Sequence, residues 1–333
     1  MYKLFNCSYW LIIVVLIATS CINNEKHDCG NKVSVEFTYK LYTDDMKHTE
    51  AFHDSVNQVT LFVFDENGLF VMQKSEQGSA LLDSKYRMII PKLPGDKYQF
   101  IVWGGISKAS FSATHLTVGV SSITDLKVAL CKLKDCVSNE DLTGLFYGSY
   151  QFDNDIKKKN ETITIPLILN TNRFKIFLIS YGDDIIDSSD YSFQIVDKNT
   201  AFNFKNELSA ELEVTYKPYT QGVTTLQELG EVHEDLNSVV FAHLSTSKLF
   251  ANHSASAQLR IYDNKADSIL LELPLIKLIL LMKSDKCGDS MSDQTYLDRI
   301  HSYSLSFILE KNVWIQKNVI INNWTVNLNE VEF

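Results

Sequence analysis

The sequence contains none of the short motifs that mark the common catalytic and cofactor sites. It has no G-x-S-x-G nucleophile elbow, no H-E-x-x-H metal motif, no glycine-rich phosphate loop followed by Lys-Ser/Thr, and no dinucleotide fingerprint. Its eight histidines are scattered rather than paired at the spacing of metal ligands. We therefore expect a protein that is not an enzyme and that needs no cofactor and no metal.

The chain also lacks an excess of positive charge. Its formal net charge is -10 and its pI is about 5.3, whereas proteins that bind nucleic acids present a basic face to the phosphates. A nucleic-acid partner is therefore not expected. Apolar residues make up 45% of the chain and charged residues 22%, which is typical of a globular protein with room for two domains.

No apolar run near the start of the chain is long enough to span a bilayer. The run Trp10–Ala18 is much shorter than the ~20 residues that a transmembrane helix needs. Lys3 precedes it, and the small residues Thr19 and Ser20 lead directly to Cys21. This pattern predicts a secretory signal over residues 1–21 that ends in a lipobox-like site.

On this interpretation Cys21 becomes the first residue of the mature protein and carries the acyl chains, and residues 22–32 form a tether. One feature departs from a typical lipobox, because Ala18 stands three residues before the cysteine and Leu16 is displaced. The alternative is an ordinary secretory signal, which would leave Cys21 as a thiol near a soluble N-terminus.

Six cysteines are present, of which Cys7 leaves with the signal. In an oxidising compartment the four beyond Cys21 allow three pairings. These four are Cys29, Cys131, Cys136 and Cys287. The short spacing between Cys131 and Cys136 predicts a local disulfide. Half of a metal knuckle is the alternative, but no second Cys or His pair at zinc spacing accompanies it.

Alternating apolar and polar residues predict that the chain is built from β-strands. Val33–Tyr42 has the period of two expected of a strand with one buried face. Gln58–Phe64 and Leu69–Gln73 flank Asp65–Gly68, whose Asn-Gly dipeptide favours a hairpin turn. Together with further short strand-like runs, these features predict a β-sandwich over residues 33–168, with a more polar and less regular stretch at Gly105–Asn160.

Residues 169–333 repeat this pattern and predict a second sandwich, so the expected fold class is all-β with two domains in tandem. Ile269–Leu281 has the composition of a strand, and only Ser292–Ile300 has the pattern of a helix, with Ser292 as its N-cap. Near the C-terminus, Trp324, Val326 and Leu328 alternate with polar residues and predict a last strand. A free terminal strand invites pairing with another chain.

Two groups of residues could form a site by themselves. Asp183-Asp184 and the Asp187–Asp190 cluster could supply the carboxylates of a glycoside hydrolase, although acids this close in sequence are more typical of turns. Tyr147, Tyr150 and Phe152 could line a glycan site, but most aromatic residues of a β-protein lie in the core or in cross-strand pairs.

Taken together, the sequence resembles the FimB/Mfa-type fimbrial anchor family, the minor subunits of type V pili. In the first half the resemblance rests on Cys21 with Asp28-Cys29, Val33–Tyr39, Val59–Phe70, Leu93–Gly95 with Tyr98–Gly104, and Asn170–Arg173. In the second half it rests on Thr215–Tyr219, Ser245–Phe250, Leu273–Ile276, Ser292–Arg299 and Ile321–Val326.

The resemblance implies two transthyretin-like sandwiches and a lipid-anchored subunit of the outer membrane, exposed at the cell surface, that holds the shaft of a fimbrium. The implied partners are a fimbrial shaft subunit and, through acylated Cys21, outer-membrane lipid. In related shaft subunits an Arg-directed protease removes the first strand. None of the four arginines is close to Val33–Tyr42 along the sequence, so an Arg-specific cut there is not available and this strand is expected to stay in place.

Strand donation to the shaft subunit is then expected from the C-terminal strand, through Trp324, Val326 and Leu328. The alternative function is a surface glycan-binding lipoprotein built from the same β-sandwich modules.

Overall fold

The computed structural model describes residues 32–91, 93–106, 110–131, 133, 135–153, 162–181, 186–210, 212–225, 238–253, 256–287, 290–310, 313–322 and 324–327. The predicted signal, the tether up to residue 31 and Cys21 therefore lie outside the described residues, as does Leu328. The described part of the chain is dominated by strands, which confirms the predicted all-β fold class.

The described residues of the first half form eleven strands and one short α-helix, α1 (Phe52–Ser55). The strands are β1 (Val33–Tyr42), β2 (His48–Glu50), β3 (Gln58–Asp65), β4 (Phe70–Gln77), β5 (Met88–Ile90), β6 (Lys97–Gly104), β7 (Phe111–Ala113), β8 (Lys127–Leu130), β9 (Val137–Ser138), β10 (Phe146–Asp153) and β11 (Thr162–Leu169).

In the second half, the residues that the structure describes form twelve strands and two α-helices, α2 (Leu275–Cys287) and α3 (Asp293–Leu297). The strands are β12 (Thr171–Tyr181), β13 (Tyr191–Asp197), β14 (Ala201–Asn203), β15 (Leu208–Ala210), β16 (Val214–Tyr216), β17 (Thr220–Thr224), β18 (Ser238–Ser247), β19 (Gln258–Asp263), β20 (Ser268–Pro274), β21 (Ser302–Glu310), β22 (Val313–Ile321) and β23 (Trp324–Asn327). None of the described helices is long and apolar enough to span a membrane.

The first sandwich encloses a core between two groups of strands. Its strand order is β2-β1-β11-β10-β6-β3-β4, with β5 pairing with the start of β1. The apolar side chains of β1, β5 and β11 face those of β3, β6 and β10. Along β1 the buried and partly exposed residues alternate, as the sequence predicts for a strand with one buried face.

The predicted hairpin turn joins β3 to β4. Gly68 adopts a φ of 75°, which a residue with a side chain rarely tolerates. The Asp65 carboxylate accepts hydrogen bonds from the backbone N–H groups of Asn67 and Leu69, at 2.9 and 2.8 Å. The carboxylate therefore fixes the turn, as the Asp-x-Asn-Gly sequence indicates.

The second sandwich packs a six-stranded sheet against a five-stranded one. The orders are β17-β18-β12-β21-β22-β23 and β20-β19-β13-β16-β9. Apolar side chains from β12, β18 and β21 meet those from β13, β16, β19 and β20 in the larger core. Strand β12 is parallel to β21, just as β1 is parallel to β11 in the first sandwich.

The two sandwiches share sheets and core. Strand β9 from the first half completes the five-stranded sheet, and a four-stranded sheet of order β15-β14-β8-β7 takes two strands from each side of residue 168. The central strands of the first sandwich also bury both faces. Phe62 of β3 and Trp103 of β6 point away from the first core and join the second. The predicted boundary at residues 168 and 169 thus separates two halves that are packed together.

Two secondary-structure predictions were wrong. The strand predicted at Ile269–Leu281 ends at Pro274, and the rest of that apolar run belongs to α2. Leu275, Ile279 and Met282 are buried at helical spacing. Apart from Glu272 and Lys277, the run is apolar throughout, which leaves too little periodicity to tell a strand from a buried helix.

The second wrong prediction is the irregular stretch at Gly105–Asn160, which contains β10. Gly148 weakens the strand pattern there, yet it is needed, because a Cβ at this position would lie 2.6 Å from Leu167 Cδ2 on the neighbouring strand. The predicted helix at Ser292–Ile300 is confirmed over Asp293–Leu297, and the Ser292 hydroxyl caps it by accepting from the Thr295 N–H at 3.2 Å.

Candidate functional site

The first strand is held in its sandwich along both edges. β11 pairs with β1 from Ser34 to Tyr39, while β5 and β2 cover the start and the end of the opposite edge. The Glu50 carboxylate accepts from the N–H groups of Tyr39 and Phe52, at 3.0 and 3.1 Å. Val35 and Phe37 are at most 3% exposed. β1 is therefore an integral strand of the first sandwich.

The last described strand has a different environment. Trp324 and Val326 lie in β23, which pairs antiparallel with β22 through Ile321 and Val319. In the described part of the chain β22 is the only neighbour of β23, so β23 forms one edge of the six-stranded sheet. The predicted donor residues Trp324 and Val326 thus lie on an edge strand, where backbone groups are available to another strand.

The turn before β23 is anchored by one asparagine. Asn322 adopts a φ of 48°, a left-handed conformation that asparagine tolerates better than most residues. Its side-chain oxygen accepts from the Ser304 N–H at 2.6 Å, and its backbone N–H donates to the Ser304 carbonyl at 2.8 Å. The side-chain amide also donates to the Asp44 carboxylate at 3.2 Å. Asn322 thereby connects the base of the terminal hairpin to the loop after β1.

The two ends of the described chain can be located relative to Asn170, the single residue between β11 and β12. On the N-terminal side, Ser34 pairs with Thr162, eight residues before Asn170. At about 3.3 Å per strand residue, the start of β1 lies about 26 Å along the strand from this junction.

On the C-terminal side, strand register places Val326 level with Leu178, eight residues after Asn170. Three successive pairs across the sheet connect the two residues: Val326–Val319, Val319–Phe307 and Phe307–Leu178. The same strand rise gives a separation of about 26 Å. β11 and β12 lie in different sheets and do not pair with each other. The start of β1 is therefore level with the chain eight residues before Asn170, and Val326 is level with the chain eight residues after it.

Buried amides stabilise the junction itself. The Asn170 amide donates to Asn206 Oδ1 at 2.6 Å and accepts from Asn206 Nδ2 at 3.2 Å, and both residues are at most 5% exposed. The Asn172 amide donates to the Ser247 carbonyl at 2.9 Å. Because buried polar groups must be hydrogen-bonded, these asparagines fix the start of the second half against its own later strands and turns.

A histidine and an ion pair lie beside these amides. His301 Nδ1 is 3.3 Å from Asn172 Oδ1, and Nε2 is 3.1 Å from the Asp298 carbonyl. Burial lowers the pKa of His301 to about 4, so the ring is neutral at neutral pH. Asp298 also pairs with Lys248 at 2.9 Å, and burial of that lysine lowers its pKa. The histidine and the ion pair thus bond to one another and to the buried amide of Asn172.

The predicted disulfide is not formed in the structure, where Cys131 and Cys136 are free thiols. Cys131 is partly exposed and Cys136 is exposed. Asp135 and Cys136 adopt consecutive positive φ angles, and the Cys136 carbonyl accepts from the Thr215 N–H at 2.9 Å. The turn at Cys136 is therefore held by backbone pairing with the second half of the chain. Cys29 lies outside the described residues, and α2 ends at Cys287.

The acids and aromatic residues singled out in the sequence do not assemble into a site where the structure describes them. The Asp187 carboxylate accepts from the N–H and hydroxyl of Ser189, which lowers its pKa, and Asp190 pairs with Lys265. These two acids therefore form a turn and a surface ion pair, whereas Asp183 and Asp184 lie outside the described residues. No cluster of metal-ligand residues occurs in the described ranges.

Of the three aromatic residues, only Tyr150 is exposed. Phe152 is buried and stacks on Phe100, with ring centroids 5.2 Å apart. Tyr147 packs against Trp103 and donates its hydroxyl proton to the Phe204 carbonyl at 3.0 Å. The packing interpretation is confirmed for Phe152 and Tyr147, and the three residues do not form an aromatic platform.

Comparisons with solved structures find the same architecture in other bacterial proteins. A Bacteroides thetaiotaomicron protein provisionally described as an adhesin is 32% identical, with a TM-score of 0.78, and the match covers 90% of this chain and 98% of that one. A second protein from that organism, provisionally described as polysaccharide-binding, is 28% identical with a TM-score of 0.77, and coverage is 90% and 99%.

The fimbrial anchor protein Mfa2 from Porphyromonas gingivalis shares the fold, with a TM-score of 0.64 at 16% identity, and coverage is 89% of this chain and 99% of that one. No curated protein matches the chain. The family model of the fimbrillin-A associated anchor proteins Mfa1 and Mfa2 matches residues 25–330, nearly the whole chain. The chain therefore belongs to this family of anchor proteins, which is associated with fimbriae at the cell surface.

Proposed function

We propose that this protein is a non-catalytic connector, held in the outer membrane by lipid on Cys21 and joined to a fimbrial shaft subunit by its C-terminal strand. The observation that carries the proposal is the placement of the two ends. The start of β1 pairs with the strand that precedes Asn170, whereas the edge strand β23 belongs to the sheet of the strand that follows it. A connector of this kind transmits force from one attachment to the other through paired strands.

The environments of the two strands support the assignment of their roles. β1 has neighbours on both edges and carries core side chains, so it keeps the lipid-bearing N-terminus attached to the fold. β23 is an edge strand in the described structure. In strand addition, main-chain hydrogen bonds provide affinity and alternate side chains provide specificity, as Trp324, Val326 and Leu328 would.

The proposal is tested by two variants made in the native host. A stop codon after Asn323 removes the donor strand, while Cys21→Ser removes the lipid site. The truncated protein should remain in the membrane fraction while the shaft subunit is shed into the medium. With Cys21→Ser, the protein and the shaft subunit should leave the membrane together.

The readouts are immunoblots of membrane and medium fractions and electron microscopy of the cell surface. Normal fimbriae on cells that carry the truncated protein would rule out donation by this strand. Unchanged membrane fractionation of the Cys21→Ser protein would rule out lipid attachment at that residue. The two parts of the proposal can therefore fail separately.

Binding of surface glycans is a second candidate function. It is favoured by the 28% identity to the protein provisionally described as polysaccharide-binding and by a polar groove on the first sandwich. Glycan-array binding by the detergent-solubilised mature protein tests it, and the absence of any bound glycan would exclude it.

A further inference from the structure

A groove of about 620 Å³ runs between the hairpin β3–β4 and the edge strand β7. The hairpin lines it with one face, on which Gln77, Ser75 and Gln73 of β4 lie opposite Gln58, Thr60 and Phe62 of β3. The three β4 residues are exposed, while the three β3 residues are at most 9% exposed. The groove thus has a buried floor and an accessible wall, and its volume is within the range of small-ligand sites.

Hydrogen bonds fix the floor of the groove. Gln58 Nε2 donates to Thr60 Oγ1 at 2.7 Å, and Gln58 Oε1 accepts from the Ile106 N–H at 2.9 Å. The Thr60 hydroxyl is 2.8 Å from the Ser75 hydroxyl. This chain of bonds crosses from β3 to β4 and holds polar atoms in place before any ligand arrives. Such preorganisation lowers the entropic cost of binding.

The accessible wall offers polar groups that the protein does not use. In the described ranges no hydrogen bond engages the side chains of Gln73, Gln77 or His115, all of which line the groove and are exposed. Each glutamine amide presents both a donor and an acceptor. Pairs of such groups suit a ligand that carries neighbouring hydroxyls, each of which can also donate and accept.

The lining also argues against other classes of ligand. No lysine or arginine is among the described residues that line the groove, and Glu76 contributes negative charge, so these residues offer a phosphate or sulfate no paired cation. An apolar ligand would remove glutamine, serine and threonine groups from water without replacing their hydrogen bonds. A neutral polyhydroxylated ligand satisfies these groups without either penalty.

We propose that this groove binds a segment of a neutral oligosaccharide, whose hydroxyls bond to Gln73 and Gln77. This proposal rests on the second candidate function, glycan binding, and assigns it to a particular site. It does not depend on anchoring through Cys21 or β23. An array on which glycans bind while groove variants have no effect would leave glycan binding intact and exclude this site.

The test is isothermal titration calorimetry of the detergent-solubilised mature protein. The four neutral probes are maltohexaose, cellohexaose, xylohexaose and mannohexaose. A sulfated heparin hexasaccharide serves as the anionic comparison. The variants are Gln73→Ala with Gln77→Ala, and Gln73→Glu, which keeps the side-chain size but loses the donor. Gln151→Ala, an exposed glutamine of β10 away from the groove, is the matched control.

We expect at least one neutral hexasaccharide to bind with a Kd of about 1 mM or tighter, and the double alanine variant to weaken it at least about tenfold. Gln73→Glu should weaken it less, and Gln151→Ala should match the wild type. All variants must retain the wild-type unfolding midpoint. The proposal is overturned by no binding of any neutral probe at about 5 mM, by equal binding in the double variant, or by preference for the heparin probe.

Discussion

The first and last described strands of this protein differ in how firmly their surroundings hold them. β1 is paired on both edges and contributes Val35 and Phe37 to the core of the first sandwich. β23 is paired on one edge and begins at a turn that a single asparagine secures. The backbone N–H and C=O groups of a strand with two neighbours are used within its own sheet. An edge strand keeps one row of these groups free to pair with a partner.

The largest expected effect comes from removing a core side chain of β1. Phe37 is 3% exposed and stacks on Phe52 at 5.6 Å, so Phe37→Ala should lower the free energy of unfolding by about 3–5 kcal/mol. Denaturant titration of the solubilised mature protein measures this loss. A change below about 1 kcal/mol would mean that β1 is not an integral part of the first sandwich.

The cluster beside the junction of β11 and β12 should make the stability of the protein depend on pH. His301 has a folded pKa of about 4, below its ordinary value of about 6.5. The stability that depends on its neutral ring is present above pH 6.5 and is lost as the pH falls toward 4. Because the residue is partly exposed, the expected loss is about 2 kcal/mol.

Unfolding curves at several pH values test this dependence, with His301→Gln as the comparison because glutamine does not titrate. The variant should lose less stability than the wild type between pH 6.5 and 4. Identical slopes in the two proteins would show that His301 does not control the acid response.

A smaller effect is expected at the turn that begins the edge strand. Asn322→Gly keeps the backbone at positive φ but removes the side-chain bonds to Ser304 and Asp44. We expect a loss of about 1 kcal/mol in unfolding free energy together with faster amide exchange in β23. Hydrogen exchange measured by mass spectrometry should show this change there and not in β1. Equal acceleration of exchange in both strands would contradict the view that β1 is held more firmly than β23.

The smallest effect is expected from the ion pair on the outer face of β1. Arg87 and Glu36 are 2.9 Å apart, and each side chain is 33% exposed. Arg87→Gln should therefore change the free energy of unfolding by less than about 1 kcal/mol. A larger loss in denaturant titration would mean that this surface pair, and not only the core, secures the strand.

The alternation of apolar and polar residues at Val33–Tyr42 was sufficient to predict β1, and the burial and pairing of that strand agree with the prediction. The sequence also predicted the turn at Asp65–Gly68, where the residue types determine the backbone conformation. It did not predict α2, because the run after Pro274 is apolar at nearly every position, so its sequence does not separate a helix from a strand. β10 was missed because Gly148 is required by the neighbouring strand, a constraint that local sequence does not contain.

The candidate site was only partly predictable. Alternation placed Trp324 and Val326 on a terminal strand, and β23 confirms that strand as far as Asn327. The contact of Asn322 with Asp44 joins residues far apart in the chain, so it depends on tertiary packing. The groove on β3–β4 was missed for the same reason, since its walls come from separate parts of the chain.

The most direct test of the connector proposal is site-specific photo-crosslinking in assembled fimbriae, with a photoreactive residue at Val326 of β23 or, for comparison, at Val35 of β1. We predict that position 326 yields a covalent adduct with the shaft subunit, identified by mass spectrometry, and that position 35 yields none. Adducts from position 35 with no adduct from position 326 would contradict the proposal that the C-terminal strand joins the protein to the shaft.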